Sequence, residues 1–180
     1  MDSVLYPQGN TPGISKYVNG ILKFFKRSTV AEIAAFDGVN GLFYQPGGVL
    51  TARVRATAAE IKAGKTVVAA ITGYKIRLVD AFMIAYGGAA TTATSVDLVT
   101  TQGGSSVRPM VTTVAALTQS AKVSMGEAPA AGSTAILADG ASYVFNDSGT
   151  GVQVSQQSGG SDLAGCTGVD VTVMYELVRG

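Results

Sequence analysis

Val169-Asp170-Val171-Thr172-Val173-Met174-Tyr175-Glu176-Leu177 is the stretch on which the fold turns. Apolar or aromatic side chains take every second position, and Asp170, Thr172, Met174 and Glu176 take the others. A strand turns successive side chains to opposite faces, so this alternation describes a strand with one dry face and one wet face. The same period appears earlier. Tyr74, Ile76, Leu78, Phe82, Ile84 and Tyr86 fall on one face of a long strand whose other face begins with Lys75 and Arg77. Only Asp80 breaks that face, as the mark of a bulge, a bend or a buried, satisfied carboxylate, three possibilities the pattern leaves open.

Outward from these two, Val, Thr and Ala alternate in further short runs: 49–55, 67–71, 95–101, 107–114, 121–125, 134–137, 142–145 and 152–156. Gly87-Gly88 and Gly103-Gly104 punctuate two connections. A one-turn helix separates the first two runs, with a capping box from Thr57 to Glu60 and Gly64 as its stop. Many short strands with frequent turns and no long helix between them predict a mainly β domain over 46–180, an antiparallel β-sandwich that is jelly-roll-like. One internal echo, Thr94-Ser95-Val96-Asp97-Leu98 against Thr167-Gly168-Val169-Asp170-Val171, reads either as equivalent strands in two halves of a jelly roll or as a chance match between Thr- and Val-rich strands.

Residues 1–45 differ in character and read as an N-terminal arm. Thr11 and Pro12 suit a helix start, and Ile14, Val18, Ile21, Leu22 and Phe25 recur at helical spacing. Thr29 and Glu32 form a second capping box before Ala34 and Ala35, so a second short helix is expected. No acid occurs between Asp2 and Glu32, which leaves Lys16, Lys23, Lys26 and Arg27 uncompensated. Two short helices are marginal in isolation and must lean on the β-domain, a neighbouring subunit or a larger surface. Tyr6, Tyr17, Lys23, Phe24, Phe25, Lys26 and Arg27 are therefore the candidate partner-contact residues, since aromatic anchors and Arg dominate binding surfaces.

Composition narrows the function classes. The chain has 180 residues, no His, no Trp, one Cys and 14% charged residues, so the side chains that usually carry catalysis are scarce and no enzyme is expected. A formal net charge of +1 gives no whole-surface attraction to nucleic acid. The start of the chain lacks the basic and apolar regions of a secretory signal, and 81–96 carries Gly87-Gly88 and hydroxyl residues unsuited to a membrane span. A lone Cys166 forms no intramolecular disulfide and reads as a small packing residue.

Two motifs resemble ligand sites. Gly64-Lys65-Thr66 ends like a phosphate-binding loop, but Ala59 stands where that loop needs Gly, and a strand follows where it needs a helix. Asn146-Asp147-Ser148-Gly149-Thr150-Gly151 has oxygen ligands without a closing acid, so it reads as a tight turn before a cation loop. The carboxylates are scattered, and without His there is no Ser-His-Asp arrangement. No metal, cofactor or catalytic residue is assigned.

The runs Val-Arg-Ala-Thr-Ala-Ala-Glu-Ile-Lys-Ala-Gly-Lys-Thr at 54–66, Leu-Val-Asp-Ala at 78–81, Ala-Thr-Ser-Val-Asp-Leu at 93–98, Ala-Ala-Leu-Thr-Gln-Ser at 115–120 and Leu-Ala-Asp-Gly-Ala-Ser at 137–142 resemble tailed-bacteriophage virion proteins. The resemblance covers most of 50–178 and leaves the arm outside it. It implies a capsid decoration (cement) protein: a β-sandwich, made in the host cytoplasm and seated as a trimer on the capsid exterior against the major capsid protein or other virion subunits. The alternative from another class is a carbohydrate- or receptor-binding virion module. That reading expects Tyr86, Tyr143 or Phe145 in a loop-lined groove, whereas the cement reading expects them in the core or a subunit interface.

Overall fold

The structure is a computed structural model that describes residues 48–125, 145–157 and 161–180 in full and, within 1–47, the backbone of five strands. The chain divides into two compact units, Met1–Gly48 and Val49–Gly180.

In the first unit β1 (Val4–Leu5), β2 (Ile14–Val18), β3 (Ile21–Lys26), β4 (Ala31–Asp37) and β5 (Leu42–Tyr44) form one antiparallel sheet in chain order. This differs from the helical arm that capping signals and 3.6-residue spacing suggest. Ile14, Tyr17, Val18, Ile21, Phe24 and Phe25 are β-branched or aromatic, types that favour strands, and a helix this short has little cooperative stability of its own. Pairing of adjacent segments therefore prevails over local capping.

The second unit contains β6 (Leu50–Thr57), α1 (Ala58–Ala63), β7 (Lys65–Val68), β8 (Tyr74–Tyr86), β9 (Ser95–Gln102), β10 (Ser105–Thr113), β11 (Lys122–Ser124), β12 (Val152–Gln156) and β13 (Gly168–Arg179). Two antiparallel four-stranded sheets result, ordered β10-β9-β12-β7 and β11-β8-β13-β6. The pairings nest: β6 with β13, β7 with β12, β8 with β11 and β9 with β10. The strands of the second unit thus follow one long antiparallel ladder closed at the β9–β10 turn. Two further pairings, β8 with β13 and β9 with β12, divide that ladder into its two sheets. The strands expected over 134–137 and 142–145 fall outside the described residues, apart from Phe145, which is half-buried.

Each sheet has a buried face. Val169, Val171 and Val173 are each 0% exposed, with Ala81, Met83 and Ala85 opposite them on β8 and Ala56 on β6. In the other sheet Val96, Leu98, Met110, Val152 and Val154 are equally enclosed. Burying each such valine, leucine or methionine side chain stabilises the fold by about 1.5–3 kcal/mol, so the alternation in β13 is an energetic record of its two faces. Gly168, at the start of β13, is required by close approach: a Cβ there would lie 2.0 Å from the Ala56 carbonyl oxygen and 2.7 Å from the Tyr86 hydroxyl.

A bulge corrects the reading of β8. Register with β13 passes from Asp80 opposite Met174 to Leu78 opposite Tyr175, so Val79 is an extra residue. Tyr74, Ile76 and Leu78 are buried on one side of it, but beyond it the buried residues are Ala81, Met83 and Ala85. Phe82, Ile84 and Tyr86 therefore lie on the opposite face, half-buried, and not beside Tyr74 as strict alternation implies. The Asp80 carboxylate accepts the Ala81 amide, 2.8 Å, which holds the bulge.

α1 follows its local signals. Thr57 Oγ1 accepts the Glu60 amide at 3.3 Å while the Glu60 carboxylate accepts the Thr57 amide at 3.0 Å, and Gly64 closes the turn at φ 83°. Lys65 then opens β7 and binds Glu60 Oε1 at 2.7 Å.

The phase change at Val79 has a direct test by urea unfolding. Met83→Ala should cost about 2–5 kcal/mol as a buried large-to-small change, and Ile84→Ala about 1 kcal/mol or less. Equal losses, or a larger loss at Ile84, would restore uninterrupted alternation.

Candidate functional site

Of the contact residues nominated from sequence, Tyr6 and Arg27 lie outside the described residues. Tyr17 lies on β2, and Lys23, Phe24, Phe25 and Lys26 lie on the neighbouring β3. Register sets Lys16 opposite Lys23, Tyr17 opposite Leu22, Ser15 opposite Phe24 and Ile14 opposite Phe25. The backbone thus brings the nominated segment together with its basic neighbour on adjacent strands.

A surface not nominated from sequence lies on the face of the β11-β8-β13-β6 sheet turned away from its buried valines. Phe82, Ile84, Tyr86, Asp170 and Met174 stand there half-buried, bordered by exposed Arg53, Arg55 and Lys122. Asp170 sits in register between Ile84 and Arg55. Arg55 Nε and Nη2 donate to its two carboxylate oxygens, each at 2.8 Å, and the Arg53 guanidinium is 3.9 Å away. This fork fixes the plane of the Arg55 guanidinium, which lies 4.6 Å from the centre of the Tyr86 ring. Lys122 lies 5.5 Å from the Phe82 ring centre. The hydrogen bonds from Arg55 hold the Asp170 carboxyl below its ordinary range, and the same bonds raise Arg55. Along the sheet, Arg77 and Glu176 form a further pair at 2.5 Å. Aromatic rings, Met and oriented guanidinium groups are the composition of a protein contact surface. The sequence signal for it was the interruption at Asp80, which moved these rings outward.

The other sheet carries a cleft of about 350 Å³ lined by Thr66, Val99, Thr100, Thr101, Ser106 and Gln153. Its hydroxyl and amide groups can exchange hydrogen bonds with a neutral polar solute, and among the described residues no ring or ionised group lines it. Tyr86 is not part of this lining and belongs to the other sheet, and Tyr143 lies outside the described residues.

Asp97, the counterpart of Asp170 in the sequence echo, is 1% exposed on β9, with Arg108 Nη1 3.3 Å from one carboxylate oxygen. Burial pushes its carboxyl above the ordinary range, against the opposing pull of the Ser95 hydroxyl, Arg108 and the Thr112 amide. Glu60 behaves oppositely: Lys65 and the Thr57 cap lower it to about 2.

The loop at 146–151 is a structural turn. Asp147 Oδ1 and Oδ2 accept the Gly103 and Gly104 amides at 2.9 and 2.8 Å, which pins the β9–β10 turn and lowers the Asp147 carboxyl. Asn146 accepts the Ile76 amide and donates to the Thr150 carbonyl. Cys166 is half-buried, and burial raises its thiol away from the thiolate form a nucleophile needs. Among the described residues no three His, Cys, Asp or Glu side chains gather as a metal site, and no helix is long and apolar enough to cross a membrane.

The Asp97 carboxyl has a higher pKa folded than unfolded, so its contribution to stability is largest in acid and falls as pH rises through that interval. Asp97→Asn should therefore gain stability relative to the parent as pH is raised from about 3 to 7, measured as urea midpoints across that range. A gain that is largest at the acid end would contradict this sign.

Compared with protein families, curated proteins and solved structures, the chain matches none.

Proposed function

We propose that the chain is a non-enzymatic structural protein of a virion, one that binds and stabilises a phage capsid shell as a decoration or cement subunit. We read 49–180 as a jelly-roll-like β-sandwich. The nested pairing of β6 to β13 supports that reading, because rolling one long antiparallel ladder yields two four-stranded sheets of this connectivity. The observation that carries the function is the position of Phe82, Ile84, Tyr86 and Met174 on a sheet face, bordered by Arg53, Arg55 and Lys122. A broad face of this kind suits a protein neighbour, here the major capsid protein or another subunit of the same assembly, better than it suits a small ligand. The aromatic-rich first unit, with its cluster of Lys16, Lys23, Lys26 and Arg27, is read as a second attachment element, and repetition over a symmetric shell adds avidity. A trimer on the capsid exterior is the arrangement this reading favours.

A carbohydrate- or receptor-binding module is the second reading. The cleft lined by Thr66, Thr101, Ser106 and Gln153 favours it, since hydroxyl and amide groups are what a neutral sugar pairs with.

Particles depleted of the protein and then reloaded with variants separate the two. Phe82→Ala with Tyr86→Ala should lower occupancy about tenfold or more, as expected when contact anchors are truncated, with little change in the melting midpoint. Subunits should appear in threefold sets by electron microscopy, and removal of residues 1–48 should weaken attachment while 49–180 stays folded. Undiminished occupancy in both variants, together with glycan binding that Gln153→Ala abolishes, would replace the cement reading with the second one.

A further inference from the structure

Sheets end in edge strands, and a long, flat, unbroken edge is a template for another chain. The two sheets of the second unit have four such edges: β10, β7, β11 and β6. Three are blunted. β11 is 3 residues long and β7 is 4. β10 has 9 residues, but Pro109 lacks an amide to donate and register breaks between Val107 and Met110. β6 is different. Its 8 residues pair with β13 without a register break, from Thr57 opposite Gly168 to Leu50 opposite Tyr175, and among the described residues nothing pairs with its other side.

The core is thin along this edge. Val171 and Val173 on β13 are 0% exposed, whereas their β6 neighbours Val54 and Ala52 are only half-buried, and Val49 just before the strand is 50% exposed. The opposite face of β6 carries Thr51, Arg53, Arg55 and Thr57, all exposed. Arg53 and Arg55 retain 69% and 64% side-chain exposure and share one carboxylate, Asp170, so the edge holds surplus positive charge. Two copies of β6 laid side by side would bring these guanidinium groups near one another, a like-charge arrangement that disfavours pairing.

We infer that the free edge of β6 receives an extended acidic segment of another protein, which adds as a strand beside it. Main-chain hydrogen bonds supply the attachment, and side-chain pattern supplies the choice of partner. Carboxylates at alternate positions meet Arg53 and Arg55, while β-branched residues between them extend the apolar face beside Ala52 and Val54. The edge has this character whatever particle or assembly contains the protein.

The test uses the full chain and a short blocked peptide alternating glutamate with valine, beside a control with lysine for glutamate. Hydrogen exchange should show about tenfold slower exchange at β6 amides in the presence of the glutamate peptide, with β10 amides unchanged. Arg53→Ser, on the solvent face and 3.9 Å from Asp170, should reduce affinity about threefold and leave the melting midpoint near the parent value, whereas adding Arg55→Ser should reduce affinity further, about five- to tenfold, and lower the midpoint because Asp170 loses its two-bond fork. The inference is overturned by unchanged β6 exchange at millimolar peptide, by equal binding of the lysine peptide, by protection at β10 in place of β6, or by a peptide-free dimer that itself protects β6, which would make a second copy the occupant.

Discussion

Double pairing of β13 is the constraint on which the second unit depends. The strand is bonded to β8 along one side and β6 along the other, so its backbone groups are satisfied in an interior from which Val169, Val171 and Val173 have lost all contact with solvent. β6 lies at the start of this unit and β13 at its end. The most desolvated strand thus joins residues far apart in the chain, as the Arg55–Asp170 pair at a separation of 115 shows. Such a sheet closes only when the last strand arrives, and non-local pairing of this kind makes folding slow in comparison with local hairpins.

Placement of the outer surface follows from that pairing through a single extra residue. With Val79 set outside the register, β8 presents Tyr74, Ile76 and Leu78 to the core on one side of the bulge and Ala81, Met83 and Ala85 on the other. The larger side chains of the second half are thereby released to the outer face, where Tyr86 supports the Arg55 guanidinium. Inside, Ala81, Met83 and Ala85 stand opposite Val173, Val171 and Val169. Packing density and surface chemistry are thus two results of one bulge.

The two members of the sequence echo occupy comparable places and differ in environment. Val96 and Val169 are both fully buried, and Asp97 and Asp170 each face an arginine from the adjoining strand. Asp170 keeps partial solvent contact and a two-bond fork with Arg55, so ionisation is favoured. Asp97 is enclosed with a looser arginine contact, so burial dominates and ionisation is disfavoured. The same residue type two positions into a central strand stabilises the fold over opposite ranges of pH.

Elements written in local pattern are legible in the amino-acid sequence: the alternation of β13, the capping box and glycine stop of α1, the turn at 146–151 and most strand positions in 49–180. These depend on residues a few positions apart, where periodicity and short-range hydrogen bonding act directly. Tertiary structure decides the rest. Helical spacing in 14–25 yields to strand pairing between β2 and β3, because β-branched and aromatic residues accept either period and adjacent strands supply the missing hydrogen bonds. The face on which Phe82 and Tyr86 stand is set by where β13 skips Val79, which no count along β8 alone can reveal. Asp97 is enclosed in the fold, and the place of β6 at the end of its sheet follows from the order in which β8, β13 and β6 pair, neither of which its own segment shows. Period is a property of a segment, whereas phase, burial and free edges belong to the partners that distant segments bring to it.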